Sequence, residues 1–507
     1  MTSGKKILKN LFVGVFGQAV SLALGILLPK MVITSFGSEV NGLLSSITNI
    51  YTYIALVEAG VAAASCQALY KSLAENDKGE INAILSATNI YYHKTGYIYL
   101  ALVLAFSTIY PLIIRSDIPF FTVVLVVLFN GLGNVINYFF HGKYLILLRA
   151  DGKNYVRTGV ELATNTLKHV IKIVFISLGY NVVYVQCAAM FVSFVQMIYI
   201  TYYIKRHYFW IDFSVPPNTQ SISQSKNVVV HEVNYMITSN VDTVILTVFR
   251  TLKEVSVYAL YHLLFSTINR ILRVIRDSVE FKVAHLFHKE KEKFMKVFPV
   301  FETYYVTLSF AVFSVANYFI LPFIDIYTRN VSDAEYVLPM IPLLFVLINL
   351  LSAGRYPSEA MVHIAGHFKQ TQKSAIVETM INLVASIILV QFAGIAGVLM
   401  GTVISSLYRT NYLIYYVNKN IIGRKTSKTY LCWSANVIVF LLTLVINQII
   451  MIQMDSYLKI FLFCVPYGIG TLLLYFGVVS LIMRREWHTI WSMGKSWILT
   501  RNGKRQA

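Results

Sequence analysis

The chain has 507 residues, 56% of them hydrophobic and only 13% charged, with a mean hydropathy of +0.62. Soluble domains carry about a quarter charged residues, so a water-soluble globular protein is excluded and a polytopic membrane protein is expected. The net charge of +19 would suggest nucleic acid in a soluble chain. Here the basic residues cluster between apolar spans, the mark of membrane orientation, and no nucleic-acid partner is expected.

A membrane-crossing helix needs about 20 apolar residues. Fourteen such segments follow in order: 11–34, 43–68, 86–113, 119–147, 157–179, 181–204, 228–249, 255–276, 298–326, 336–358, 373–392, 394–417, 430–452 and 457–482. Gly131, Gly133 and Asn134 interrupt the fourth, and Pro339, Pro342, Gly354 and Pro357 the tenth. The N-terminal Met-Thr-Ser-Gly-Lys-Lys leads into an apolar run too long for a signal-peptide core and without a clear cleavage site, so it is expected to be retained. Cys66, Cys187, Cys432 and Cys464 all lie in apolar segments and form no CxxC pair, so neither a disulfide framework nor a metal site is indicated.

Orientation follows from the loops. One alternating set of connections holds 29 Lys and Arg residues and the other only 4, namely Arg115, Arg250, Lys253 and Arg329. The positive-inside rule places both termini in the cytoplasm, with an even number of spans. The outer connections are short, Gly179-Tyr-Asn and 393–397 being little more than turns, and they house no catalytic domain. The longest hydrophilic break, with Pro216-Pro217 and a Ser/Gln run, reads as a cytoplasmic linker.

The halves look duplicated. Val160-Glu161 with Asn165 matches Val377-Glu378 with Asn382, 217 residues on. The run 199–205 resembles 412–418, and Glu39-Val40 resembles Glu254-Val255, at offsets of 213 and 215. A repeated six-span unit keeps its orientation. The expected division is an N-terminal six-helix lobe over 1–207, a linker over 208–227, a second six-helix lobe over 228–420, two further helices over 421–483 and a basic tail over 484–507. The fold class is all-α, with about 14 transmembrane helices.

Charged residues are costly in hydrocarbon, so polar stripes on spans should face a water-filled cavity or another helix. On span seven Glu232, Tyr235, Ser239 and Asp242 share a face at about 100° per residue; on span eight His262, Ser266, Asn269, Arg270, Arg273, Asp277 and Glu280 do so. Snorkelling of Arg273, Asp277 and Glu280 to the cytoplasmic end is the alternative. Span five carries Glu161, Asn165, Lys168 and Lys172 in the same way. Lys168 lies eleven residues past Arg157, about 16 Å into the membrane. Either it is neutralised by Glu161 on its own helix or it faces a ligand. Lys30 follows Pro29 on span one, Glu58 lies on span two and Arg355 on span ten, while Lys94 and Arg409 read as cytoplasmic anchors. A basic interior attracts an anion, and phosphate suits both Arg and Lys. The candidate substrate-binding set is Lys30, Lys168, Lys172, Arg270, Arg273 and Arg355; Glu58 and Asp242 are candidates for ion coupling. No GxxxxGK[ST] or HExxH motif is present, so no ATP site, zinc site or enzymatic cofactor is expected.

Two six-span lobes, two extra C-terminal spans and the turn Phe36-Gly-Ser-Glu-Val-Asn-Gly42 resemble the bacterial polysaccharide repeat-unit flippases. So does Asn240-Val-Asp-Thr-Val-Ile-Leu246 followed by Glu254-Val-Ser-Val-Tyr258. These flippases belong to the multidrug, oligosaccharidyl-lipid and polysaccharide exporter superfamily, and the resemblance covers essentially the whole chain. It implies a non-enzymatic carrier of the bacterial cytoplasmic membrane that moves a polyprenyl-pyrophosphate-linked oligosaccharide to the outer leaflet by alternating access. The implied partners are that lipid-linked glycan, membrane lipids, the polysaccharide polymerase and glycosyltransferases. Family carriers line a central cationic cavity largely with spans one, two, seven and eight, which here supply Lys30, Glu58, Asp242 and Arg270. The competing expectations are a lipid-linked peptidoglycan precursor flippase, a cation-coupled multidrug antiporter and, from another class, a membrane-embedded glycosyltransferase or polymerase. The antiporter would favour buried acids, and the enzyme would need larger outer loops.

Overall fold

The computed structural model of the protein describes residues 20, 23–58, 61–220, 240–449 and 454–492. Among them there is no strand, as an all-α polytopic protein requires, and each of the fourteen apolar segments falls on helix wherever it is described. In chain order these are α1 (Ala23–Phe36), α2 (Ser38–Ile54), α3 (Val61–Ala74), α4 (Lys78–Ile113), α5 (Phe120–Ala150), α6 (Asn154–Ser177) and α7 (Val182–His207). There follow α8 (Asn240–Phe249), α9 (Leu252–Lys289), α10 (Lys291–Thr328), α11 (Met340–Ile364), α12 (Phe368–Val417), α13 (Ser427–Ile449) and α14 (Tyr457–Ile482). Eight helices of the described residues are long and apolar enough to cross a membrane by composition alone. α6 and α9 are not among them, because their charged stripes lower their hydropathy.

Two segments differ from the continuous helices expected. The second span is broken: α2 tightens into a 3₁₀ turn, Ala55–Glu58, before α3 begins. α5 opens into a wide π turn at Asn137–His141. By contrast, the glycines expected to interrupt spans four and ten are packing notches in unbroken helix. A Cβ at Gly131 would meet the Tyr51 hydroxyl at 2.4 Å, and one at Gly354 the Trp433 ring at 2.0 Å. Pro357 likewise sits inside α11 without ending it.

The chain packs as two compact units, Met1–Ala259 with Asn330–Ala334, and Leu260–Arg329 with Glu335–Ala507. The change of unit falls within α9. Residues 221–227 of the expected linker, the basic tail beyond residue 492, and Glu232, Tyr235 and Ser239 of the span-seven stripe lie outside the described residues.

In the first unit the turn Phe36–Gly42 joins elements far apart in sequence. Gly37 takes φ +89°, a conformation only glycine adopts freely, and lets the chain turn into α2. The Asp333 carboxylate caps α2, accepting from the Ser38 N–H and from its hydroxyl, each at 2.7 Å. Glu39 accepts from the Asp117 N–H at 2.8 Å, and Asn41 donates to the Ser256 hydroxyl at 2.7 Å. Gly42 lies against the Leu252 carbonyl so closely that a Cβ would sit 1.7 Å from its oxygen.

In the second unit α12 is a hairpin of two apolar arms. Gly394, at φ 52° and ψ −128°, makes the reversal. Gly397 and Gly401 then let the arms touch backbone to backbone, a small-residue packing suited to a membrane. A Cβ at Gly397 would lie 2.1 Å from the Leu389 carbonyl oxygen, and one at Gly401 2.6 Å from the Ser386 nitrogen. Ser386 donates to the Val398 carbonyl at 3.1 Å and Asn382 to the Thr402 hydroxyl at 2.8 Å. Gly401→Leu is therefore expected to cost at least about 1–3 kcal/mol by overpacking. It should appear as a lower midpoint of thermal unfolding in detergent; an unchanged midpoint would show that the arms have room to part.

Candidate functional site

The charged side chains of the described residues separate into those whose charge is answered by a neighbour and those whose charge is not. Glu378 of α12 is the most heavily answered. One Glu378 oxygen accepts from Arg355 of α11 at 2.5 Å, and the other lies 3.5 Å from the Arg409 guanidinium. Glu359 stands 3.9 Å from Arg355, and Arg409 also donates to the Thr371 carbonyl at 3.2 Å and to the Ser374 hydroxyl. Two guanidinium groups and two carboxylates make a neutral cluster, and Glu378 and Arg409 retain only 8% and 9% side-chain exposure. Arg409 is thus no surface anchor. It lies eight residues before the helix end at Val417, about 12 Å in. A second answered carboxylate, Glu302 of α10, pairs with Arg424 and accepts from the Thr429 hydroxyl at 3.0 Å. Neither Glu302 nor Arg424 stands out in the sequence, because Glu302 is a lone charge near a span end and Arg424 is one of several basic residues in a loop.

In the first unit Glu161 is taken by Arg157 one turn away, Nε to Oε1 2.9 Å. This excludes the simple neutralisation of Lys168 by Glu161. Lys168 and Lys172 have no hydrogen-bond or ion-pair partner among the described residues, and both are half-buried on α6. Two imidazoles are their electrostatic neighbours: His141 beside Lys168, and His169 beside both lysines. The Nδ1 atoms of His141 and His169 are buried without a partner among the described residues. The sequence stripe omits these histidines: His169 lies at its edge, about 80° from Glu161 around α6, and His141 comes from the π turn of α5. The two ammonium ions have no carboxylate partner among the described residues, and each imidazole can turn one N–H toward a ligand. Such a group can hold a phosphate or other anion.

The α9 stripe divides. Asn269 donates to Asn349 of α11, the Tyr356 hydroxyl donates to Glu280, and Arg276 lies 4.2 Å over the Tyr356 ring while pairing with Asp277 at 3.0 Å. That part of the stripe faces another helix. Arg270 and Arg273 are exposed on α9 and have no partner among the described residues. Lys30 lies partly buried on α1.

Both candidate coupling carboxylates sit among phenols. Glu58 closes the 3₁₀ turn and accepts from the Tyr92 hydroxyl, with Tyr138 beside it. Asp242, 8% exposed on α8, accepts from Tyr258 at 3.3 Å and has Tyr53 as an electrostatic neighbour. A phenol can donate to the ionised carboxylate and accept from the protonated acid, so either form is served. Lys168, Lys172, Glu58 and Asp242 thus belong to the first unit, and Arg270, Arg273 and Arg355 to the second.

No protein-family model matches the sequence, and no curated protein matches it. Solved structures do resemble the fold. The lipid II flippase MurJ in an inward closed conformation superposes with a TM-score of 0.70 at 14% identity, over 94% of this chain and 99% of that one. The fold is that of the MurJ and MATE transporters. A multidrug resistance MATE family transporter of the MOP superfamily, inward-facing, gives 0.61 at 14% identity over 79% of this chain and 94% of its own. A MATE structure in the bent conformation gives 0.55 at 15% identity, over 84% and 99%. The chain is a multi-pass membrane protein with a transporter fold.

Removing one partner of a buried ion pair leaves an uncompensated charge, at a cost of about 3–5 kcal/mol, whereas replacing the whole set by apolar groups is often neutral. Glu378→Gln is therefore expected to lower the amount of folded protein in the membrane. The combined Arg355→Met, Glu359→Gln, Glu378→Leu, Arg409→Met variant should recover most of it. Recovery by the single Arg355→Met change in the Glu378→Gln background, without altering Arg409, would show that only one arginine is held by the acid.

Proposed function

We propose that this protein flips a polyprenyl-pyrophosphate-linked oligosaccharide repeat unit across the cytoplasmic membrane by alternating access, with both termini in the cytoplasm. The observation that carries this reading is the unanswered cation group on α6, Lys168 and Lys172, set against the fully answered Glu378 cluster. A pyrophosphate supplies the acceptors that these donors lack. Arg270 and Arg273 supply further charge, and Lys30 lies on span one, where the resemblance expects the cavity. Arg355 is the weakest of the proposed substrate ligands, because Glu378 already occupies it. The substrate's headgroup is held by cations while its prenyl tail stays in lipid, so neither end crosses hydrocarbon against its own polarity. Asp242 and Glu58, each beside phenols, couple the movement to an ion by exchanging charge as the carrier changes state. The polymerase and glycosyltransferases of the same glycan would act before and after this step.

A lipid-linked peptidoglycan precursor is the second reading, favoured by the overall similarity to MurJ. It shares the pyrophosphate and the prenyl chain and differs in the sugar.

Charge-assisted hydrogen bonds contribute about 1.5–3 kcal/mol each, so losing two predicts a fall of at least about a hundredfold. Lys168→Gln with Lys172→Gln should insert and express normally yet lose transport of a fluorescent lipid-linked oligosaccharide in proteoliposomes. The Arg pair at the same positions should retain most of it. Normal transport by the Gln pair would remove α6 from the site. Competition by unlabelled repeat-unit lipid against unlabelled peptidoglycan precursor separates the two substrates. Cysteines placed at Ser332 and Ser427 in a cysteine-free background should label from outside and inside respectively; the reverse pattern would invert the proposed orientation.

A further inference from the structure

A groove of about 880 Å³ runs between α6 and α7, wholly within the first unit. Gly159 and Ala163, one turn apart on α6, form part of its lining, with Leu167 beyond them and Val195, Tyr199 and Tyr203 contributed by α7. It is not the candidate anion site. At about 100° per residue, Gly159 and Ala163 lie roughly opposite Glu161, Lys168 and Lys172 around α6. α7 is long and apolar enough to cross a membrane and α6 packs alongside it, and Leu167, Val195 and Tyr199 keep 38%, 53% and 49% exposure. From Tyr155 to Leu167 the groove extends about 18 Å along α6, close to the half-thickness of about 15 Å of a bilayer's hydrocarbon core. It is one leaflet deep.

The two ends differ in charge. α7 finishes in Lys205, Arg206 and His207, and His207 lines the groove with its ring stacked on Tyr203 at 4.1 Å. α6 begins beside it at Asn154, with no side chain capping its first turn. No carboxylate lines the groove. Asp151, the acid nearest in sequence to this end, is already paired with Lys153 at 2.8 Å and accepts from Tyr208. The partial negative charge at the α7 C-terminus opposes an anion, but it amounts to about half an elementary charge against the full cation of Arg206 and the imidazole of His207. Tyrosines at the same end are the residues that sit where hydrocarbon meets headgroups.

We propose that this groove is a binding site for an anionic phospholipid of the surrounding membrane. One acyl chain lies between α6 and α7, and the phosphate is held at Arg206 and His207. This goes beyond the transported substrate, whose charge is met on the opposite face of α6. The lipid fills a cleft floored by small side chains and gives the basic end of α7 a counter-charge.

The test uses the full chain purified in mild detergent and titrated with phosphatidylglycerol or phosphatidylcholine, with binding read by native mass spectrometry. Phosphatidylglycerol is expected to bind the wild type at least about fivefold more tightly than phosphatidylcholine. Arg206→Gln with His207→Gln should weaken phosphatidylglycerol by at least about fivefold, from the worth of one basic residue at an anionic surface, and erase the preference. Gly159→Leu with Ala163→Leu should abolish retention of both lipids while eluting as the wild type does. If that filled variant fails to fold, the charge variant alone decides. Equal binding of the two lipids by the wild type would overturn the proposal. So would unchanged retention by the filled variant, or a wild-type dimer that filling converts to a monomer, which would make the occupant a second copy.

Discussion

A bilayer interior supplies neither water nor counter-ions, so every charge carried into it must be met by another group of the protein or by something the protein binds. That constraint organises the molecule. Glu378 is met by Arg355 and Arg409, Glu302 by Arg424, and Glu161 by Arg157. Glu378 and Glu302 are met by cations from other segments of the chain, and Glu161 by one on its own helix. The cations left over on α6 and α9 stand apart from these answered carboxylates among the described residues.

The sequence matches between the two halves sharpen the contrast. Glu161 and Glu378 occupy matching places in the two halves, as do Asn165 and Asn382. In the second half the acid gathers arginines from two other helical segments, and Asn382 ties the two arms of the α12 hairpin together. In the first half the acid is satisfied locally, and two lysines follow where the second half has Ala385 and Leu389. The matching acid is thus tied across helical segments in one half and within its own helix in the other.

Much of the fold is legible in the sequence because hydropathy is a one-dimensional property. A run of apolar residues is a helix wherever lipid surrounds it, and all fourteen runs are helical where described. Partners are not one-dimensional. Asp333 and Ser38 are 295 residues apart, and Arg409 lies 31 residues beyond the Glu378 it faces. Helical periodicity names the face of Arg409 but not what that face meets, which is why it reads as an anchor. The same holds in reverse for Lys168, whose obvious partner on its own helix proves to be engaged elsewhere. The 3₁₀ turn at Glu58 and the π turn at Asn137–His141 leave no mark in composition, since both are made of residues that an ordinary helix also accepts. The turn Phe36–Gly42 is legible for a different reason: its residues hold the backbone of the first unit together, so it speaks to architecture and is silent about substrate.

The π turn has an effect on reading frame. A wide turn accommodates one residue more than an α turn, so everything after it is rotated by about 100° relative to an unbroken helix. Beyond this point Gly142 lies so close to the Tyr92 ring that a Cβ would be 2.4 Å away, and Lys143 donates to Asn89 at 2.5 Å. Tyr92 is the phenol that serves Glu58. A single-residue deletion within Asn137–His141 would keep the helix, its length almost unchanged and its hydropathy intact, yet bring a side-chain-bearing residue to face Tyr92. Alignments that treat this stretch as freely gapped helix would therefore misplace the neighbourhood of a membrane carboxylate by one register.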